Sequence, residues 1–153
     1  MVRGVMTDLS SQSGAAAAAA RHIRVVLVDD SARCRSALAG FLGSHSHIRI
    51  AGQANNGPQG FALAAWLQPD FVITDLRMPG LDGLQLVQLL RREYPGIRSI
   101  ITSAHDGPAL RAECRRHGAD AFITKQRLPE ELPPLLTRLF APAREPRILT
   151  CQE

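Results

Sequence analysis

The chain is poor in aromatics, in cysteine and, most sharply, in lysine. Phe, Trp and Tyr together make up 5% of its 153 residues, and no basic stripe is interleaved with them in the way single-strand nucleic-acid binding uses. Cysteine occurs only at Cys34, Cys114 and Cys151. The number is odd and the spacings fit neither a disulfide framework nor CxxC or CxxH zinc ligation, so Cys34 and Cys114 read as small residues on helix faces. No apolar run approaches the roughly 18 residues of a membrane-crossing helix, and the run Ala15 to Ala20 is too short for a secretory core. No membrane association and a cytoplasmic location are therefore expected.

Of the 18 basic residues, 17 are arginine and Lys125 is the single lysine. An ammonium is a compact point charge, whereas a guanidinium is a planar fork, and the two do not substitute for one another at a phosphate or carboxylate site. Position 125 thus stands out. The formal charge of +4 and pI near 9.6 could signal a nucleic-acid partner, but the arginines are scattered and read as solvated surface. With 45% hydrophobic and 21% charged residues, the composition is that of one globular domain.

Residues 1–21 are low in complexity and show no periodic apolar face, so they are expected to form a flexible tail. From Ile23 the pattern becomes regular. Continuous apolar runs at 23–28, 48–54, 71–75, 97–102 and 121–124 read as buried strands, and helical stretches lie between them at 31–42, 59–67, 83–92 and 108–117. Cys34, Ala37, Leu38, Phe41 and Leu42 form the predicted inner stripe of the first helix, with Asp30 or Ser31 as its cap. Strict strand–helix alternation predicts an α/β doubly wound five-stranded parallel sheet with helices on both faces. Pro133 and Pro134 predict a last helix that starts only near Pro134, with Leu135, Leu136, Leu139 and Phe140 inward.

In such sheets ligands bind outside the carboxyl ends of the strands. Those ends carry Asp29 and Asp30, then Asp75, Ser103 and Lys125. Converging carboxylates repel unless a cation holds them ionised, and a hard ion such as Mg2+ takes carboxylate, water and phosphate oxygens together. Lys125 and the Ser103 hydroxyl supply a charge and a hydrogen bond for phosphate oxygens. Each residue alone has a plainer role: Asp30 as a helix cap, Asp75 as a turn residue before Pro79 and Gly80, Phe122 as core, His105 and Arg77 as surface. Their agreement on one sheet edge carries the functional reading.

The segments DD at 29–30, DLRMPGLDG at 75–83, TSA at 102–104 and GADAFITK at 118–125 resemble the receiver domain of two-component response regulators. LPEEL at 128–132 and the MPGLDG loop are similar to the LuxR-type (NarL/FixJ) subfamily. The resemblance spans 22–140 and implies a flavodoxin-like strand order 2-1-3-4-5. It implies Asp75 as phosphoacceptor, Lys125 and Ser103 as catalytic partners, and Mg2+ held by Asp29, Asp30, Asp75 and the backbone carbonyl of Arg77. It also implies a switch made by Ser103 and Phe122, a sensor histidine kinase as partner, and possible homodimers. Residues 141–153 read as a linker or the start of a missing output domain, since RILTCQE resembles the opening of a LuxR-type helix-turn-helix; DNA would be contacted only through such a domain. A stand-alone receiver, an unphosphorylated pseudo-receiver and a magnesium-dependent phosphohydrolase are the alternatives. An arginine two residues after Asp75, where the hydrolase would carry a second acid, disfavours the last.

Overall fold

The computed structural model describes residues 21–140; the predicted tail and the 141–153 segment lie outside the described residues, apart from the tail's last position. Five strands, β1 (Ile23–Val28), β2 (Ile48–Ala54), β3 (Phe71–Asp75), β4 (Arg98–Ser103) and β5 (Ala121–Thr124), alternate with helices α1 (Ala32–Gly43), α2 (Gly57–Leu67), α3 (Gly83–Glu93), α4 (Pro108–Arg116) and α5 (Leu128–Phe140). All neighbouring strands pair in parallel in the order β2-β1-β3-β4-β5. The expected fold class and strand order are both observed.

The period-2 alternation of each strand divides the core in two. Val25, Leu27, Phe71, Ile73, Ile100 and Ile123 point to one face, where Leu42 of α1 and the leucines of α5 cover them. Val26, Val28 and Val72 point to the other, under Ala64 of α2 and Leu86 and Leu90 of α3. A third cluster, Leu76, Val87, Ile101 and Cys114, seats α4 with Phe122 at its margin. Burial on both faces explains why the strands read as unbroken apolar runs.

The helix starts are locally encoded. Ser31 caps α1 by accepting from the Cys34 N–H, and Asn56 caps α2 through the Gln59 N–H. Asp82 and Gln85 form a reciprocal capping box at α3. Two expectations fail on α1. Cys34 and Ala37 face solvent, because Leu38, Ala39, Phe41 and Leu42 suffice to cover the edge of the sheet beside β2.

The larger correction concerns α5. The helix begins at Leu128, after a 3-10 turn over Lys125–Arg127, and runs through Pro133 and Pro134. Each proline removes one N–H donor, worth about 1 kcal/mol net where the widowed carbonyl can hydrate. The carbonyls affected, those of Pro129 and Glu130, belong to exposed residues. Against this stand Leu128, Leu132 and Leu136 at i, i+4, i+8, all buried, each contributing roughly 1.5–3 kcal/mol. The leucine stripe wins, and only Leu136 of the predicted inner set is fully buried; Leu135, Leu139 and Phe140 pack at the margin. Pro134→Ala should therefore stabilise the domain by about 1–3 kcal/mol and Leu132→Ala destabilise it by about 2–5 kcal/mol in urea unfolding; destabilisation by Pro134→Ala would show that the helix needs its prolines.

Candidate functional site

Parallel register brings the strand ends together. Val28 pairs with Thr74, Asp75 with Thr102, and Ser103 with Thr124, so Asp29, Asp75, Ser103 and Lys125 emerge along one edge. Asp29, Asp30 and Asp75 each place a carboxylate oxygen within 4.8 Å of the others. Asp30 is exposed, Asp75 half-buried and Asp29 buried, which gives the cluster one open side.

Asp29 is constrained at every polar atom. Its N–H donates to the Ala54 carbonyl at 3.1 Å, and its own carbonyl accepts from Arg35 Nη1 at 2.6 Å. Oδ1 accepts from the Ser31 N–H at 2.9 Å, and Oδ2 accepts from Lys125 Nζ at 3.0 Å. The Ser31 N–H bond couples the carboxylate to the start of α1. Arg35 was not a candidate from sequence; its reach from α1 back to the end of β1 leaves no local signature.

Lys125 is shared unequally. Its Nζ stands 3.0 Å from Asp29 Oδ2 and 3.5 Å from Asp75 Oδ1. Burial pushes the Asp75 carboxyl above its ordinary pKa; the Lys125 charge opposes this, and the Asp29 charge reinforces it. For Lys125, burial disfavours the ammonium, but the hydrogen bond to Asp29 and the charges of Asp75 and Asp29 together outweigh it and raise its pKa. Both groups are raised, Asp75 chiefly by burial and Lys125 because one ammonium faces two carboxylates.

The backbone around Asp75 is held tightly. The Leu76 N–H donates to the Thr102 carbonyl at 2.8 Å, and the Gly83 N–H to the Leu76 carbonyl at 2.9 Å. A Cβ at Gly83 would collide with the Asp75 carbonyl oxygen, so only glycine allows α3 to begin directly against the end of β3. Gly80, at φ +76°, makes the turn between them.

Ser103 is buried, and its hydroxyl accepts from the His105 N–H at 3.0 Å. Phe122 is half-buried at the edge of the α3–α4 cluster. Arg77 is exposed and lines a concavity beside the site with Met78, Pro79 and Asp82; the His105 side chain is exposed. The arrangement offers a half-buried carboxylate, oxygen donors for a hard cation and one fixed ammonium.

A sequence model of the family described as "Response regulator receiver domain" matches residues 25–137. The nitrate/nitrite response regulator protein NarL of Escherichia coli (strain K12) is 32% identical over 108 residues, covering 71% of this chain and 50% of that protein. A protein-glutamate methylesterase/protein-glutamine glutaminase of Thermotoga maritima is 36% identical over 107 residues, covering 69% of this chain and 31% of that protein. The chain thus spans half or less of these curated relatives. Among solved structures, the signal receiver domain of a response regulator assigned as NarL from Mycobacterium tuberculosis superposes with a TM-score of 0.74 at 29% identity, over 79% of this chain and 98% of that one.

The raised pKa of Asp75 has a consequence for stability. The folded state holds its proton more tightly than the unfolded state does, so ionised Asp75 destabilises the fold at neutral pH, and the penalty fades as pH falls through the raised value. In the presence of a chelator, Asp75→Asn should be more stable than wild type at pH 7, the gap closing as the pH is lowered into the carboxylate range. Thermal melts across pH test this; a variant less stable than wild type at pH 7 would contradict the electrostatic account.

Proposed function

The chain belongs to the response regulator receiver domain family, and from that premise we propose that it accepts a phosphoryl group on Asp75 from the phosphohistidine of a sensor kinase. The observation that carries this reading is the half-buried Asp75 carboxylate placed beside Lys125 and two further carboxylates on one open strand edge. An Asp75 oxygen attacks phosphorus; the P–O bond forms as the P–N bond to the imidazole breaks, and the imidazole nitrogen leaves with the electron pair and takes up a proton. The product is an acyl phosphate. Most of the chemistry is positioning and charge neutralisation.

The donor set fits Mg2+. Three carboxylate oxygens lie within 4.8 Å of one another on one open edge, and a hard cation takes such oxygens together with waters. Asp30 and Asp75 would bind it directly and Asp29 through water, with the Arg77 carbonyl as a further ligand. When bound, the ion neutralises charge on the phosphoryl oxygens. Lys125 releases its hold on the carboxylates in part and offers its ammonium to a phosphoryl oxygen, and Ser103 offers its hydroxyl to another. The hydroxyl keeps its lone pair for the His105 N–H while donating, so the loop behind it follows the movement. Phe122 is then the ring that changes position on the α4–β5–α5 face.

The same reading assigns the domain a signalling role rather than turnover of a substrate, in keeping with the exposed Arg77 where a phosphohydrolase of this chemistry would need a second acid. We read the whole protein as a cytoplasmic LuxR-type transcriptional regulator, in which DNA is contacted only through an output domain not present in this chain, with a second copy as a candidate partner. No described helix is long and apolar enough to cross a membrane. The relatives carry this kind of domain in proteins of different named activities, so the receiver chemistry is argued independently of the output.

Incubation with Mg2+ and acetyl phosphate followed by intact-mass measurement tests the acceptor. Wild type should gain one phosphoryl group, Asp75→Asn none, and Lys125→Arg at least about tenfold less at equal time, since a fork cannot take the place of the ammonium. Equal gain by Asp75→Asn would overturn the assignment.

A further inference from the structure

Arg111 on α4 lies between the loop that follows Ser103 and the ring of Phe122. Its Nε and Nη2 donate to the two carboxylate oxygens of Asp106 at 2.6 and 3.0 Å, a bidentate pair with fixed geometry. Its Cζ stands 4.9 Å from the centroid of the Phe122 ring, within cation–π range. Asp106 also accepts from the Gly107 N–H at 2.7 Å, which fixes the carboxylate to the start of α4. Three residues before it is Ser103, whose hydroxyl is tied to the His105 N–H. A short covalent segment therefore begins in the phosphorylation site and ends at an ion pair whose cation covers the ring.

Phe122 has room to move once uncovered. The ring borders two surface concavities, one lined by Arg111 and Cys114, the other by Pro134 and Leu135. The ring packs only at the margin of the third core cluster, and the guanidinium over its exposed face is aimed by Asp106.

We propose that Arg111, gripped by Asp106, is a positioning residue that latches the Ser103 loop and Phe122 in the unphosphorylated arrangement. This rests on the reading of Asp75 as acceptor. Drawing the Ser103 hydroxyl toward a phosphoryl group pulls residues 103–106, and the pull breaks or re-aims the Asp106–Arg111 pair, which frees the ring. The latch opposes phosphorylation, because the loop must leave it before Ser103 reaches its new partner. Exposed ion pairs and cation–π contacts are individually modest, so the latch biases the equilibrium by a small factor and leaves it reversible.

The test uses Asp106→Asn, Arg111→Met and the double variant in the full chain. Each single variant should raise the initial rate of phosphorylation by acetyl phosphate and Mg2+ about three- to tenfold, and the double variant should match the singles because one device is removed in each. Magnesium affinity should stay as in wild type, which a general loosening of the site would not leave unchanged. In the unphosphorylated protein, Asp106→Asn removes no atom that touches the ring, yet 13C relaxation of Phe122 should report greater ring mobility. Wild-type rates in both singles, additive effects, or unchanged Phe122 relaxation in Asp106→Asn would each overturn the latch. If wild type gains no phosphoryl group at all, the acceptor reading has failed, and the Phe122 relaxation still decides the latch on its own.

Discussion

The site depends on one ammonium shared by two carboxylates. Lys125 Nζ is bonded to Asp29 and sits half an ångström farther from Asp75. Were Lys125 centred on Asp75, the carboxylate would be satisfied and a poor partner for further positive charge. The lysine's nearer bond holds the β1 end and β5 end together, while burial and the Asp29 charge keep the Asp75 carboxyl above its ordinary pKa. Under the proposed function the chain's single lysine has a structural and a chemical duty, and arginine would perform only the first.

That pairing is possible only because the sheet is parallel and in register. Each crossover returns the chain to the same edge, so residues distant in sequence meet at the strand ends; Asp29 and Lys125 are 96 positions apart. The apolar faces secure this placement: a one-residue slip of β5 would turn Ile123 out of the core. Glycine at position 83 lets α3 start directly beside Asp75, and the carbonyl of Asp29 is pinned by Arg35. The result is a rigid set of acids on one side and, on the other, a loop and ring held by exposed polar contacts. Rigid placement would suit the proposed transfer step, and weaker contacts the proposed movement.

The strands were legible because burial on both faces forces unbroken apolar runs alternating with helical stretches, whereas their order was legible only through the family resemblance. The acids, Ser103 and Lys125 were legible because they follow those runs directly. The inner stripe of α1 was misread at Cys34 and Ala37, where periodicity places residues on a face without saying how far the sheet extends beneath it. The start of α5 was misread because proline rules weigh the lost N–H and not the stripe of Leu128, Leu132 and Leu136. Arg35 and Arg111 were missed for a common reason. Long side chains reach between elements, and in a chain with 17 arginines composition cannot single out which of them hold the site.

The account stands or falls on where a phosphoryl group is attached. An acyl phosphate is reduced by borohydride to the corresponding alcohol, which converts a phosphorylated aspartate to homoserine and marks its position in the peptide map. After exposure to acetyl phosphate and Mg2+, homoserine is predicted at position 75 alone. Homoserine at position 29 or 30, or its absence from a protein that has gained phosphoryl mass, would contradict the assignment of Asp75 as acceptor.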